Sequence, residues 1–86
     1  MCRSSPTLVD QLRRASMSIP LNIAESAGRT TAGDRARFFA VARGSAMECN
    51  AILDVCRVQG RFPEDTLARG KGVLLRSVGM LTKLCR

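Results

Sequence analysis

The chain has no histidine, no tryptophan and no tyrosine, and three phenylalanines are the only aromatic side chains among its 86 residues. Proton-transfer and hydrolytic chemistry generally calls on a histidine, a perturbed carboxylate pair or a metal, so catalysis is not expected and the chain reads as non-enzymatic. With so few rings, aliphatic side chains and alanine must build the core, which suits helices better than strands. The same scarcity removes the stacking platforms of base-specific single-strand binders. Apolar runs are only a few residues long, far short of the ~20 a membrane span needs. Cys2, Cys49, Cys56 and Cys85 contain no CxxC pair and no apolar leader segment follows the start, so a reducing cytoplasm is expected. Cys49 and Cys56, seven apart on one helical face, and Cys85 on another seam just allow three sulfurs to converge. A zinc site wants closer pairs and a fourth ligand, so these read as small core residues, with no metal and no cofactor.

Acids are also scarce: seven Asp and Glu face fourteen Lys and Arg, twelve of them arginine, for a formal charge of +7. That excess directs the surface toward polyanions such as RNA, DNA or acidic proteins. A chain of this length is a single domain, residues 1–86, and buries only roughly 60–65% of the surface its unfolded form exposes. Its stability is then modest unless subunits share a core.

Hydrophobic periodicity predicts three helices, at about 6–27, 33–59 and 63–85. Ser5-Pro6 reads as an N-cap with proline at the first helical position. Leu8, Leu12, Ala15, Ile19 and Ile23 then lay an apolar stripe along the first helix. Pro20 falls inside that stripe and predicts a kink near Met17 or a restart capped by Ser18. Gly28 ends the helix, and Thr30 or Thr31 caps the next. In the second helix Phe38, Ala42, Ser45, Cys49, Ile52 and Cys56 alternate spacings of four and three, the pattern of a bundle seam. Gly60 supplies a stop, and Pro63, Glu64 and Asp65 open the third helix with acids at its positive end. There Leu67, Leu74, Val78, Leu81 and Cys85 form one strip and Val73, Met80 and Leu84 a second. Gly70, Gly72 and Gly79 each cost about 1 kcal/mol in a helix, so this segment requires tertiary or quaternary contacts. The links are short, which makes successive helices antiparallel neighbours in an all-α, up-and-down bundle.

The run Gln11-Leu12-Arg13-Arg14-Ala15-Ser16-Met17-Ser18-Ile19-Pro20-Leu21-Asn22-Ile23-Ala24-Glu25 closely resembles the signature of the four-helix-bundle proteins encoded within intervening sequences of bacterial 23S ribosomal RNA genes. Gly28-Arg29, Phe38-Phe39, Ala42-Arg43-Gly44-Ser45 and Glu48 continue the pattern, so the resemblance covers most of residues 8–60. It implies a ring-like homo-oligomer, a pentamer, with no enzymatic activity assigned. It also implies similarity to the accessory protein of diversity-generating retroelements, a basic barrel-shaped pentamer thought to bind nucleic acid and a reverse transcriptase. Two departures stand out. Ser26 occupies a position where typical members have glycine, and only Met1 to Ser5 precede the signature helix where they carry a further helix. A late start, a degenerate gene, or a three-helix subunit whose uncovered face meets a neighbour all fit the second.

Candidate sites follow from charge and from the signature. Arg69, Arg76 and Lys83 repeat every seven residues on the solvent side of the third helix, within a final 21 residues that hold no acid, and form the leading candidate for phosphate contact. Ring symmetry would sum such stripes into a positive belt. Arg13, Arg14, Arg29, Arg35, Arg37 and Arg43 are secondary candidates. Pro20, Asn22, Glu25, Gly44 and Ser45 read as structural: Asn22 and Glu25 to satisfy groups freed by the proline or to pair with Arg13, Arg14 or Arg29, and Gly44-Ser45 to allow close helix packing. The leading function is nucleic-acid binding by a homo-oligomer, RNA ahead of DNA; the alternative is a scaffolding oligomer with a protein partner. Neither involves a membrane.

Overall fold

A computed structural model describes residues 7–85, and among them every regular element is a helix: α1 Leu8–Ala27, α2 Ala32–Val58 and α3 Glu64–Leu84. Ser5, Pro6 and Cys2 lie outside the described residues. α1 starts two residues later than expected because Thr7 is its cap, the Thr7 hydroxyl accepting the Asp10 N–H at 3.1 Å. Thr31 does the same for α2, receiving the Asp34 N–H at 3.1 Å. Each thus satisfies one of the N–H groups that a helix start leaves without a partner, and each is followed by an acid in the first turn. α3 opens differently. Pro63 occupies the cap position without a side-chain bond, while Glu64 and Asp65 supply the charge.

α2 closes in a Schellman turn. Gly60, at φ 66°, donates to the Arg57 carbonyl at 3.0 Å, and the next N–H, of Arg61, reaches back to the Cys56 carbonyl at 3.0 Å. That left-handed conformation is why glycine stands there and why the chain reverses within a few residues.

α1 runs through Pro20 as one helix, so Ser18 is interior and not the cap of a restart. The lost bond would have used the Ser16 carbonyl, and both Ser16 and Pro20 are exposed, so that carbonyl is not forced to go without a partner in the interior. Asn22 does not serve that carbonyl; its Nδ2 donates to the carbonyl oxygen of Ser18 at 2.7 Å and to its hydroxyl at 3.0 Å. Beyond the proline the inward face passes to Asn22 and Ser26, and Ile23, assigned to the stripe by spacing, is exposed. Ser26 is only 2% exposed and donates its hydroxyl to the Ile23 carbonyl.

Cross-helix contacts fix the directions. Arg35 meets the Arg29 carbonyl and Ser45 meets Ser18 in one seam; in the other, Arg57 meets Glu64, Lys71 meets Asp54 and Arg43 meets Thr82. Residue numbers fall on one side as they rise on the other, so α2 is antiparallel to both neighbours. α1 and α3 each pack on α2, and their backbones make no close approach to one another. The described chain is consequently flat, 45 × 30 × 14 Å, with a radius of gyration of 14.5 Å, against about 12 Å for a compact chain of this length.

The buried residues are mostly small: Ala15, Ala42, Ala46, Cys49, Ile52, Leu53, Cys56, Leu67 and Leu81. Ile52, Leu53, Cys56 and Leu67 form the central cluster, with Leu8, Leu12 and Leu74 packed around it. Gly70 belongs to this packing, since a Cβ there would sit 3.2 Å from Leu53 Cδ1. Gly44 does not: a Cβ would meet nothing within 4 Å, so the expected close approach at this glycine is absent inside the subunit, whereas Ser45 does touch α1. Val73, Met80 and Leu84, the second strip of α3, are exposed.

Gly60→Ala is expected to lower stability by about 1–2 kcal/mol, because alanine must adopt the left-handed conformation. Gly79→Ala, in open space on α3, should raise it by up to about 1 kcal/mol. Urea unfolding followed by circular dichroism compares the two; equal effects would refute the Schellman assignment.

Candidate nucleic-acid interface

The fate of the positive charge depends on where the few acids go. Among the described residues Asp10, Glu25, Asp34, Asp54, Glu64 and Asp65 all lie within 4 Å of an arginine or lysine nitrogen. Arg13 pairs with Asp10 at 3.2 Å, and Arg69 with Asp65 at 3.4 Å. Both pairs are well exposed and hold their partners weakly. Arg57 and Lys71 bridge α2 and α3 through Glu64 and Asp54, at 2.9 and 2.5 Å. Among the described residues, Arg14, Arg35, Arg43, Arg61, Arg76 and Lys83 have no acid within 4 Å.

Of the three stripe residues, then, Arg76 and Lys83 are uncommitted and Arg69 is loosely tied. Their heptad spacing places them about 10.5 Å apart along α3. All three are exposed. Arg43 does not join them: its Nε donates to Thr82 Oγ1 at 2.6 Å in the part-buried seam between α2 and α3, about 100° round α3 from Lys83. The other candidates lie elsewhere. Arg13 and Arg14 are on α1, separated from α3 by α2, and the structure does not merge them with the stripe.

Arg29, Arg35 and Arg37 gather at the α1–α2 turn and are largely occupied there. Arg29 pairs with Glu25 one turn back, and its Nε lies buried 3.9 Å from Asp34 without a hydrogen bond. Arg37 pairs with the same Asp34 at 2.9 Å, and Arg35 donates to the Arg29 carbonyl at 3.3 Å. The guanidinium carbons of Arg29 and Arg37 stand 4.6 and 4.4 Å from the Phe38 ring centre. Two cations over one ring stabilise the turn by cation–π attraction. Glu25 thus selects Arg29 from its possible partners, within its own helix.

Among the described residues Cys49, Cys56 and Cys85 do not converge, and no three His, Cys, Asp or Glu side chains approach as metal ligands would. The antiparallel register explains this for Cys85: with Thr82 level with Arg43, it lies beyond the start of the cysteine seam. Cys49 is buried, and burial, helped by the neighbouring Glu48 carboxylate, raises its thiol pKa above the ordinary 9.0. The thiol is therefore a poor nucleophile. No described helix is long and apolar enough to cross a membrane.

Two features escape a reading by period. The Phe38 platform joins residues of two elements, although Asp34 and Arg37 at i, i+3 gave half of it away. A cleft of about 210 Å³ opens between α1 and α2, lined by Gln11, Arg14, Ala15, Ser18, Ser45 and Glu48. Only the register of the two helices brings those residues together.

Replacing Phe38 with leucine keeps an apolar body but removes the ring face. A loss of about 1 kcal/mol is expected in urea unfolding, and an unchanged midpoint would mean that the two guanidiniums draw nothing from the ring.

Against known proteins, a family model described as 23S rRNA-intervening sequence protein matches residues 3–83. No curated protein matches the chain.

Proposed function

The chain belongs to the 23S rRNA-intervening sequence protein family, and from that premise we propose that it is a non-enzymatic subunit of a cytoplasmic homo-oligomer that binds RNA through the basic edge of α3. The observation that carries the reading is the distribution of acids. The structure commits six of seven to arginine or lysine elsewhere or, for Asp65, at one end of the stripe, and leaves Arg76 and Lys83 unpaired on a segment without acids. Unpaired, exposed cations at regular spacing suit a phosphate backbone, and they recognise it without reference to sequence. DNA offers the same phosphates and is the lesser target in this reading.

Assembly is supported by what a flat subunit leaves uncovered. Met17, Leu21, Val41, Met47, Val58, Val73, Leu75, Met80 and Leu84 each expose more than two-fifths of their surface, spread over all three helices. Exposed apolar side chains in this number accord with an interface between copies. A four-helix arrangement, in which a neighbour completes what three helices leave open, and closure as a pentameric ring accord with it. In such a ring the α3 edges of several subunits act together, multiplying a weak single contact.

One observation favours the protein-scaffold reading. Val73, Met80 and Leu84 flank the basic stripe, so α3 also offers an apolar strip to a protein partner. Salt separates the two readings, because backbone binding weakens steeply with ionic strength and apolar docking does not.

Changing Arg69, Arg76 and Lys83 together to glutamine should leave the assembly intact by light scattering. The slope of log affinity for single-stranded RNA against log salt should flatten by about two. Unchanged RNA affinity would eliminate the stripe and leave the scaffold.

A further inference from the structure

α2 carries a second seam on its outer side. Ala40, Gly44, Met47, Ala51, Val55 and Val58 follow at spacings of four, three, four, four and three, and all six are exposed. At about 100° per residue they share one sector of the helix, roughly 80° wide, and Arg43, Glu48, Asp54 and Arg57 fall outside it. The strip is therefore uncharged over about 27 Å of helix. Met47 is 48% and Val58 87% exposed, and a Cβ on Gly44 would meet nothing within 4 Å.

α3 carries the counterpart. Val73, Ser77, Met80 and Leu84 repeat at four, three and four, and Met80 is 62% exposed. This strip lies roughly 180° round α3 from Lys71 and Thr82, the residues that meet Asp54 and Arg43 of α2. Asp54 and Arg43 border the outer strip of α2 on its Met47 side, so the two strips open on opposite sides of the slab. One copy cannot bring them together; two copies stacked front to back can.

We propose that the outer strip of α2 is the seat for α3 of a second copy, with Val73, Met80 and Leu84 of the partner subunit packing on Gly44, Met47, Ala51 and Val55. Charge selects this pairing over its rivals. α3 against α3 would set two basic stripes side by side, and α2 against α2 would bring together two Glu48 carboxylates, the one acid among the described residues with no basic nitrogen within 4 Å. α3 on α2 sets a basic helix beside that free carboxylate. Gly44 and Ala51 let the second helix come close, a role that Gly44 lacks inside the subunit. Because the two faces differ, each docked copy still has one of each to offer, and contacts of this kind close into a ring, of five as of any other number, when the rotation between copies allows. The basic stripe sits about 60° round α3 from the apolar strip, at the margin of the contact, so Arg76 and Lys83 stay open to phosphate. Charges at such a margin steer the contact more than they hold it, so their removal leaves the assembly in place. The inference rests on the homo-oligomeric reading and names its two surfaces.

Disabling one face at a time tests it. Met47→Glu places a charge in the α2 strip and Met80→Glu one in the α3 strip, both at exposed positions. Ala51→Glu and Val73→Glu take their places if circular dichroism finds either variant unfolded. Light scattering in line with size exclusion follows wild type, each variant and their equimolar mixture over a concentration series. Each variant alone should stay at the 9.3 kDa of one chain at about tenfold the concentration at which wild type assembles. The mixture keeps one intact face of each kind and should form a dimer containing one copy of each variant, and nothing larger. A variant that assembles like wild type would overturn the pairing while leaving the oligomer in place, and so would a mixture that stays monomeric or grows beyond two chains. A wild type that stays monomeric at every concentration would bring down the oligomeric reading and this inference with it.

Discussion

Everything in this subunit hangs on α2, the one helix that touches both of the others. Its inward face is lined by Ala42, Ala46, Cys49 and Cys56, side chains small enough for neighbouring helices to approach closely, with Ile52 and Leu53 as the larger anchors. Small residues permit closeness but bury little apolar area each, and hydrophobic stabilisation scales with area. Three helices arranged around such a spine cannot close on themselves: α1 and α3 each present one side to α2 and the rest to their surroundings. The flat shape and the exposed valines, leucines and methionines are two aspects of that geometry. Among the described residues no further element covers them.

The electrostatics follow a similar economy. Acids appear where helix ends and seams require them: Asp10 and Asp34 just inside N-termini, Glu64 and Asp65 at the start of α3, Glu25 at the close of α1. Each therefore sits beside a base or a helix dipole, and none is left to offset the second half of α3. The net charge alone does not single out a face; the placement of the acids leaves the second half of α3 basic without an offsetting carboxylate. Glu48 departs from this rule. It lies in mid-helix, next to an apolar strip, and has no structural duty inside the subunit that the contacts reveal.

Much of the fold was legible because it is written in local terms. Three helices, their boundaries to within two residues, a cap at Thr30 or Thr31, of which the structure uses Thr31, and the Gly60 stop all follow from periodicity and terminal chemistry, and the signature around Pro20 pointed to the family that the chain proves to belong to. Local rules failed where a residue's role depends on another helix. Ile23 fits the spacing of the α1 stripe, yet Asn22 and Ser26 turn inward, because the face of α1 that meets α2 shifts across Pro20. Gly44 reads as a packing glycine, but it points to the side of α2 where the subunit has nothing to pack. Arg29 and Arg37 look like surface charge until Phe38 and Asp34 are placed beside them. The α3 stripe was visible because its seven-residue repeat lies within one helix; the Arg14–Glu48 juxtaposition was not, because it takes the register between two.

The two faces of the molecule impose different physical demands, and the fold keeps them apart. Phosphate contact works best with exposed, hydrated, mobile cations whose counterions can be released, and it gains from repetition more than from fit. Contact between subunits requires apolar area, charges that meet their opposites and backbones able to come close. The α3 edge has the first set of properties in Arg69, Arg76 and Lys83; the outer side of α2 has the second in Gly44, Met47, Ala51 and Val55, with Glu48 at its margin. Had the stripe lain over Val73 and Met80, its charges would have been buried in any contact made by that strip. In the proposed reading the basic edge of α3 stays open to a polyanion, and assembly would raise the number of α3 edges that a single RNA strand can reach.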